Sequence, residues 1–264
     1  MAKRFNSCLF DPAVSMARQA IYRFTAIALL DPRAGAWKRL AEFRGDALLE
    51  EAAALLRGTP AARPKALAFG ERPVADLNPS SVLRRLPESP GELNRQFEQT
   101  FGLLVSTTCP PYETEYINSK FDFQRSNNLA DVGGFYRAFG MKPAASRPER
   151  HDHIVLELEF LAALIGLTRQ ALDDVGRESN DRVKTCLRAQ ERFVREHLAW
   201  WAPAFARLLA KENAGGFYEA AGELLAAFIP SERALLGIAP PRAAPAPTPI
   251  ETPEECEGCA LHGS

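Results

Sequence analysis

The amino-acid sequence predicts an all-α fold, and three observations carry this prediction. Apolar residues recur at helical spacing along nearly the whole chain. No run of alternating polar and apolar residues is long enough to build a sheet. The composition, with 46% hydrophobic and 25% charged residues among 264, is typical of a globular protein that can bury a core in one large or two small domains.

Helical spacing in the first part of the chain predicts three helices. The first covers about residues 17–28 and the second about residues 48–58. The third begins with Ser89 as its N-cap, Pro90 at the first helical position and Glu92 at the capping-box position. The stretch between the second and the third helix is rich in Pro, Gly and Arg, so we expect irregular structure there.

The later part of the chain predicts one extended segment and four further helices. Residues 103–119 are β-branched and then carry two consecutive prolines, which excludes a central strand and favours an extended segment. We expect a kink or a restart at Pro203, because proline removes a backbone donor and clashes with the preceding turn. The four helices are expected at about 128–139, from Asp152 to about residue 172, at about 183–201 and at about 217–228.

Residues 239–264 are predicted to form a disordered, Pro-rich linker and a short acidic tail. The tail carries Cys256, Cys259 and His262, which are residue types that bind metals. Two thiolates in a terminal tail lack further ligands, so an unstructured, reduced tail is the favoured interpretation and a metal or redox site is the alternative. Because the five cysteines include no other close pair, we expect no disulfide framework and a reducing compartment.

The sequence disfavours several classes of function. The formal net charge is −1, so no overall field attracts nucleic acid or an anionic membrane. The uncharged apolar runs, such as residues 160–167, are too short to span a bilayer, and the N-terminus makes a poor signal peptide, which predicts a cytoplasmic protein. No phosphate-binding loop, nucleophile elbow or zinc-protease helix is present, so we expect no enzyme, no catalytic residue and no bound cofactor.

The loop from Glu149 to His153 is the most informative part of the chain, because its ionisable residues run directly into an apolar helix. His151 and His153 flank Asp152, an arrangement that suggests a metal site. Alternate residues of a loop seldom converge on one ion, so we expect no metal ligands here. Asp152 is instead expected to cap the following helix, whose dipole favours a carboxylate at this end.

A second informative segment lies between Pro110 and Tyr116, where prolines, tyrosines and carboxylates are combined. This combination suits the binding of an extended, cationic and partly apolar peptide. Carboxylates form forked pairs with arginine, and aromatic rings stack on its planar face. For Tyr116 we favour simple packing against the helices, whereas for Tyr112 and Glu113 packing and peptide binding are equally favoured.

Four motifs follow one another in the chain. They are Pro111-Tyr112-Glu113-x-x-Tyr116, Asp131-Val132-x-Gly134-Phe135-Tyr136-x-Ala138-Phe139-Gly140, Glu149-x-x-Asp152-His153 and Leu156-Glu157-Leu158-Glu159-Phe160-Leu161. Together they resemble the TorD/DmsD/NarJ family of redox-enzyme maturation chaperones. The order and the spacing of the motifs fit the family, and the helical profile fits it from about residue 15 to residue 237.

The resemblance implies a cytoplasmic chaperone with no catalytic turnover. Its partners would be the twin-arginine signal peptide and the apo catalytic subunit of a molybdopterin-dependent oxidoreductase, which it would hold back from export until the cofactor is inserted. It also implies a helical bundle of two subdomains, here residues 1–148 and 149–238, joined by a hinge loop, in a monomer or a homodimer. Two alternatives are kept, a module that delivers nucleotide or molybdopterin and a metal or redox sensor that works through the tail cysteines.

The resemblance and the residue chemistry together indicate which residues bind the peptide. The expected peptide-binding residues are Pro111, Tyr112, Glu113, Glu149, Asp152 and His153, with Phe135 and Ile154 in the apolar part of the groove. Glu149 and Asp152 are the candidates for the two arginines, because carboxylates bind guanidinium groups in forked pairs. His153 would hydrogen-bond the peptide backbone, and its titration near neutral pH would tune release. The alternative is that Asp152 and His153 only brace the two subdomains.

Overall fold

The computed structural model describes residues 5–102, 108–118, 122–145, 149–174, 176–242 and 245–247. These residues are mainly helical and contain no β-strand, which confirms the all-α prediction. The α-helices in this part of the chain are α1 (Pro12–Leu29), α2 (Ala36–Ala41), α3 (Leu48–Gly58), α4 (Pro79–Arg84), α5 (Pro90–Phe101), α6 (Asp122–Ala138), α7 (Ile154–Asp173), α8 (Arg177–Phe193), α9 (Ala199–Glu212) and α10 (Phe217–Leu236).

The helix starts follow local capping chemistry. Asp11 caps α1 by accepting a hydrogen bond from the backbone nitrogen of Ala13 at 2.8 Å, so this helix begins earlier than its apolar face alone predicts. Ser89 accepts from the backbone nitrogen of Glu92 at 3.2 Å, which confirms the predicted start of α5. Gly102 follows this helix with a φ of 72°, a conformation that glycine adopts without strain.

The stretch between α3 and α5 is more ordered than the sequence predicts. It contains two 3₁₀ helices, Pro60–Ala62 and Val74–Asp76, and the short helix α4. Proline occupies the first position of both the earlier 3₁₀ helix and α4, where its missing N–H costs nothing. Two of the prolines that suggested irregular structure, Pro60 and Pro79, therefore begin short helices.

The irregularity that was predicted at Pro203 lies one turn earlier. Helix α9 continues through Pro203, and a π-helical turn, Val194–Leu198, separates it from α8. Pro203 leaves the carbonyl of Ala199 without its intrahelical partner, and Ala199 is the first residue of α9. The disturbance thus falls at the helix start, beside a widened turn that carries His197.

Helix α1 lies at the centre of the packing and contacts α3, α7 and α10, while α9 packs along α10 and α7 packs on α8. The buried apolar side chains form one continuous cluster, to which both predicted subdomains contribute. The division at residue 148 stays a prediction.

Gly237 ends α10 with a φ of 67°, just before the predicted linker. The tail residues Cys256, Cys259 and His262 lie outside the described residues.

A buried polar network crosses this core. The Arg18 guanidinium donates to both carboxylate oxygens of Glu232, at 2.8 and 2.7 Å, and the two side chains are 1% and 0% exposed. Gln190 accepts a further bond from Arg18 at 3.0 Å and donates to Thr168 at 2.8 Å. The network therefore ties together helices α1, α7, α8 and α10.

Among the helices described here, none has the combination of length and apolar character that crossing a bilayer requires.

Candidate functional site

The two informative segments of the sequence meet in an antiparallel bridge between Tyr112 and His153. The backbone nitrogen of Glu113 donates to the carbonyl of Asp152 at 3.0 Å, and the nitrogen of Ile154 donates to the carbonyl of Pro111 at 2.9 Å. Each segment satisfies backbone groups of the other, although α6 lies between them in the chain. The bridge thus places the first and the third motif side by side at the start of α7.

Side chains on one side of the bridge form a partly exposed polar edge. The rings of Tyr112 and His153 meet edge to face, with centroids 5.1 Å apart. The Tyr112 hydroxyl donates to Glu149 Oε1 at 3.1 Å, and the Glu149 side chain is exposed. Burial, and then the nearby Glu149 carboxylate, raise the pKa of Tyr112 above its ordinary value, so the hydroxyl stays protonated at neutral pH.

This edge forms one wall of a groove of about 1030 Å³. Four predicted residues line it, namely Pro111, Tyr112, Glu149 and His153. Its apolar lining includes Leu30, Phe97, Phe101, Val155 and Leu156. Its charged lining comprises Asp31, Arg33, Arg39, Lys142, Glu149 and Glu159. A groove that is lined by both apolar and charged side chains is suited to a peptide that carries both kinds of side chain.

Glu113 lies inside the molecule, away from the groove. Its carboxylate accepts from Trp200 Nε1 at 2.6 Å and from Asn128 Nδ2 at 3.1 Å, and its Oε2 lies 3.1 Å from Nδ1 of buried His197. On the other side of the same ring, Nε2 lies 3.3 Å from a carboxylate oxygen of Asp131. Of the two interpretations that the sequence favoured equally for Glu113, this geometry supports packing.

Asp152 is also buried, and its carboxylate does not cap α7. It accepts from the backbone nitrogen and the hydroxyl of Thr114, at 3.1 and 2.7 Å, and from the guanidinium of Arg150. His153 caps the helix instead, because its Nδ1 accepts from the backbone nitrogen of Val155 at 3.2 Å. The expected cap is therefore shifted by one residue, since the Asp152 carboxylate is bound by Thr114 and by the charged Arg150 instead.

Because Nδ1 of His153 accepts a hydrogen bond, the proton of the neutral ring is assigned to Nε2. Burial lowers the pKa of His153 below its ordinary value, although Glu149 and Asp152 oppose this shift. This shift favours the neutral imidazole. Tuning of release by the titration of His153 stays a prediction.

The two residues expected in the apolar part of the groove are buried in the core. Phe135 is 9% exposed and packs edge to face on Phe193 and His197, and Ile154 is 0% exposed. The groove takes its apolar surface from other, only partly buried residues, including Leu30, Phe97 and Leu156. In the sequence, Phe97 stands four residues before Phe101 in α5, a spacing that by itself predicts a core position for both.

Glu157 is a second buried carboxylate that sequence reasoning missed. Its Oε2 accepts from Trp201 Nε1 at 3.2 Å, and its side chain is 0% exposed. Burial, and then the carboxylates of Glu113 and Asp152, raise the pKa of Glu157 well above its ordinary value. The signal was its position in the apolar α7, three residues after Ile154 and therefore on the same buried face.

Within the described part of the chain, no group of three or more His, Cys, Asp or Glu side chains is arranged to hold a metal ion. The cysteines described there, Cys8, Cys109 and Cys186, form no disulfide. Burial raises the pKa of the Cys109 thiol far above its ordinary value, which makes that thiol inert rather than reactive. The question of a metal or redox role rests on the tail cysteines, which the structure does not describe.

Comparison with known proteins identifies the family. Residues 73–207 match the family model described as "Nitrate reductase delta subunit". The chain is 31% identical over 138 residues to "Chaperone protein TorD" of Photobacterium profundum, which is 51% of this chain and 61% of the relative. It is 34% identical over 96 residues to the protein of the same name from Vibrio cholerae, 36% of this chain and 41% of the relative. No solved structure matches the chain.

A third relative is "Selenate reductase assembly chaperone protein" of Thauera selenatis, with 34% identity over 116 residues, 44% of this chain and 56% of the relative. The chain spans about 41% to 61% of the length of these curated relatives. They are named as chaperones and not as enzymes, which agrees with the expectation of a protein without catalytic turnover. On the match over residues 73–207, the chain belongs to the nitrate reductase delta subunit family, the TorD/NarJ group of chaperones that its motifs resemble.

Proposed function

We propose that this chain is a cytoplasmic, client-specific chaperone. Its client would be the apo catalytic subunit of a molybdopterin-dependent oxidoreductase, which it recognises through a twin-arginine signal peptide and retains until the cofactor is inserted. The curated relatives named as chaperones support the general role, and one of them is named for the assembly of selenate reductase. The identity of the signal peptide as ligand rests on the groove beside the Tyr112–His153 bridge.

The observation that carries this proposal is an exposed carboxylate in a groove that is also lined by apolar side chains. Glu149 stands at the groove wall and is held there by the hydroxyl of Tyr112. A peptide arginine can form a charge-assisted hydrogen bond with Glu149 while the apolar segment that follows it packs on Leu30, Phe97 and Leu156. Affinity should be moderate, on the order of micromolar, because ordering a flexible peptide offsets much of the contact energy.

The proposal is tested by titrating the protein with fluorescent twin-arginine signal peptides from candidate clients and measuring anisotropy. We expect saturable binding that is lost when both arginines are replaced by alanine. Glu149→Gln keeps the hydrogen bond with Tyr112 but removes the negative charge, so we expect about tenfold weaker binding, equivalent to about 1.4 kcal/mol.

Glu178→Gln provides the matched control, because this glutamate is exposed at the start of α8, at the far end of α7. We expect no change in peptide affinity for this variant. Equal binding of the arginine and alanine peptides would contradict the proposal. Equal weakening by Glu149→Gln and Glu178→Gln would also contradict the proposal, because the effect would then reflect only the net charge of the protein.

A second candidate function is a module that holds a nucleotide or molybdopterin for delivery. The observation in its favour is that Arg39 and Lys142 line the same groove and offer positive charge to an anionic ligand. Equilibrium dialysis with the nucleotide at physiological concentration distinguishes the two functions. Retention that depends on Arg39 and Lys142 would favour delivery, and the absence of any retained nucleotide would exclude it.

A further inference from the structure

One guanidinium group of this chain already occupies an arginine-binding site next to the groove. We propose that the site formed by Asp152, Thr114, Glu115 and Tyr112 binds a client arginine, and that Arg150 fills it until the client displaces it. This inference rests on the proposed function, since it assigns the second arginine of the client peptide to a defined site. The first arginine is assigned to Glu149.

The contacts of Arg150 use Nε and both terminal nitrogens. Nε donates to Asp152 Oδ1 at 3.1 Å and Nη2 donates to Asp152 Oδ2 at 2.9 Å, which is the forked geometry of a strong arginine–carboxylate pair. Nη2 also donates to the hydroxyl of Thr114, and Nη1 donates to Glu115 Oε1 at 3.0 Å. The guanidinium carbon lies 4.3 Å from the centroid of the Tyr112 ring, a cation–π distance.

The burial of Asp152 distinguishes this site from an ordinary surface ion pair. The Asp152 side chain is 0% exposed whereas that of Arg150 is 37% exposed, so the carboxylate is fixed inside and its cation reaches it from the surface. In the pair between Arg182 and Asp174, by contrast, both side chains are about half exposed. A buried carboxylate without a cation is costly, so the site requires a guanidinium group from some source.

The position of Arg150 makes exchange feasible. It lies in the loop only two residues before Asp152, so rotation of its side chain alone vacates the site. Tyr112 forms the boundary, because its ring contacts the Arg150 guanidinium while the residue also lines the groove. Glu149 lines the same groove wall. A peptide in the groove would therefore have one exposed carboxylate and one preformed guanidinium site within reach of two adjacent arginines.

The first test measures binding of a fluorescent peptide with two adjacent arginines followed by a leucine–alanine segment. If Arg150 fills the site about nine-tenths of the time, Arg150→Ala tightens binding about tenfold, because the apparent dissociation constant scales inversely with the competent fraction. Arg150→Gln, which keeps more of the side-chain bulk, is expected to act in the same direction. A residue that merely braces the loop would weaken binding when it is removed.

Lys142→Ala is the matched control for electrostatics. It removes one positive charge from the groove lining and leaves the guanidinium site filled by Arg150. We expect about a twofold gain in affinity at most, because an exposed charge acts through solvent. An equal gain for Lys142→Ala and Arg150→Ala would overturn the displacement of Arg150, since the effect would then reflect charge alone.

The second test needs no client peptide. Millimolar guanidinium chloride, compared with sodium chloride at the same ionic strength, is expected to raise the Tm of Arg150→Ala by refilling the vacated site. The wild-type protein, whose site is filled, and the double variant Arg150→Ala/Asp152→Asn, whose site lacks the charge, should show no such gain. If guanidinium chloride raises the Tm of neither Arg150→Ala nor Arg150→Gln, the proposed guanidinium site is overturned.

The two tests separate this inference from the proposed function. Stabilisation by guanidinium without binding of any twin-arginine peptide would support the guanidinium site and contradict the signal-peptide proposal. Peptide binding that depends on the arginines, with unchanged or weaker affinity in both Arg150 variants, would support the proposed function and overturn the displacement of Arg150.

Discussion

Replacing Glu232 by alanine is expected to lower the free energy of unfolding by about 3–5 kcal/mol, the largest effect of any single change considered for this chain. The Glu232 carboxylate accepts hydrogen bonds from Nε and Nη2 of Arg18, and both side chains are buried. Without the carboxylate, Arg18 stays buried with Gln190 as its remaining hydrogen-bond partner. Urea denaturation measures the loss as a lower midpoint at an unchanged m value.

Two controls isolate the buried charge from its surroundings. The double variant Arg18→Met/Glu232→Leu removes both charges and is expected to recover most of the lost stability, because apolar side chains of similar volume can replace a buried ion pair. Asp174→Ala breaks an exposed pair with Arg182 and should cost less than about 1 kcal/mol. A Glu232→Ala variant no less stable than Asp174→Ala would show that the buried pair contributes little.

Glu157→Gln is expected to stabilise the protein at neutral and alkaline pH and to have little effect at acidic pH. The raised pKa means that the folded protein keeps this proton where the unfolded chain releases it. Stability from this group is therefore present below the ordinary glutamate pKa and is lost as pH rises towards the raised value. Within that window each pH unit costs about 1.4 kcal/mol, a cost that glutamine removes while still accepting from Trp201.

The measurement is the urea midpoint of wild type and Glu157→Gln at about pH 5 and about pH 8, a range in which most other carboxyl groups are already ionised. We expect the difference between the two proteins to increase with pH in favour of the variant. Glu178→Gln is the control, because that glutamate is exposed at the start of α8. A difference that stays constant or decreases with pH would contradict the burial of a protonated Glu157.

Most of the helices could be predicted from the sequence, because their signals are local. The start of α5 depends on the hydrogen bond from the backbone nitrogen of Glu92 to Ser89, three positions away, so its capping is visible without the rest of the fold. The short helices between α3 and α5 could not be predicted, since a proline can equally end a segment or occupy the first position of a helix. The π-helical turn before α9 could not be predicted for the same reason, since Pro203 indicates a disturbance but not the residues at which it falls.

The candidate site was predicted at the level of segments but not of individual side chains. The motifs lie together as the resemblance implies, and the bridge between Tyr112 and His153 joins them. Whether a carboxylate faces solvent or the interior depends on residues distant in sequence, such as Trp200 for Glu113. The role of Arg150 could not be predicted, because an arginine in a charged loop gives no sign in the sequence that its partner is buried.

The burial of helix α1 also determines when this fold can be completed during synthesis. α1 is the first α-helix along the chain, yet its partners include α7 and α10, and Arg18 finds its carboxylate 214 positions later. A nascent chain therefore carries an apolar α1 without its final neighbours until α10 has emerged from the ribosome. Contacts between such distant segments form late and slowly. Helix α1 would therefore have to pack late, once α10 is available, or be protected temporarily while the chain is being made.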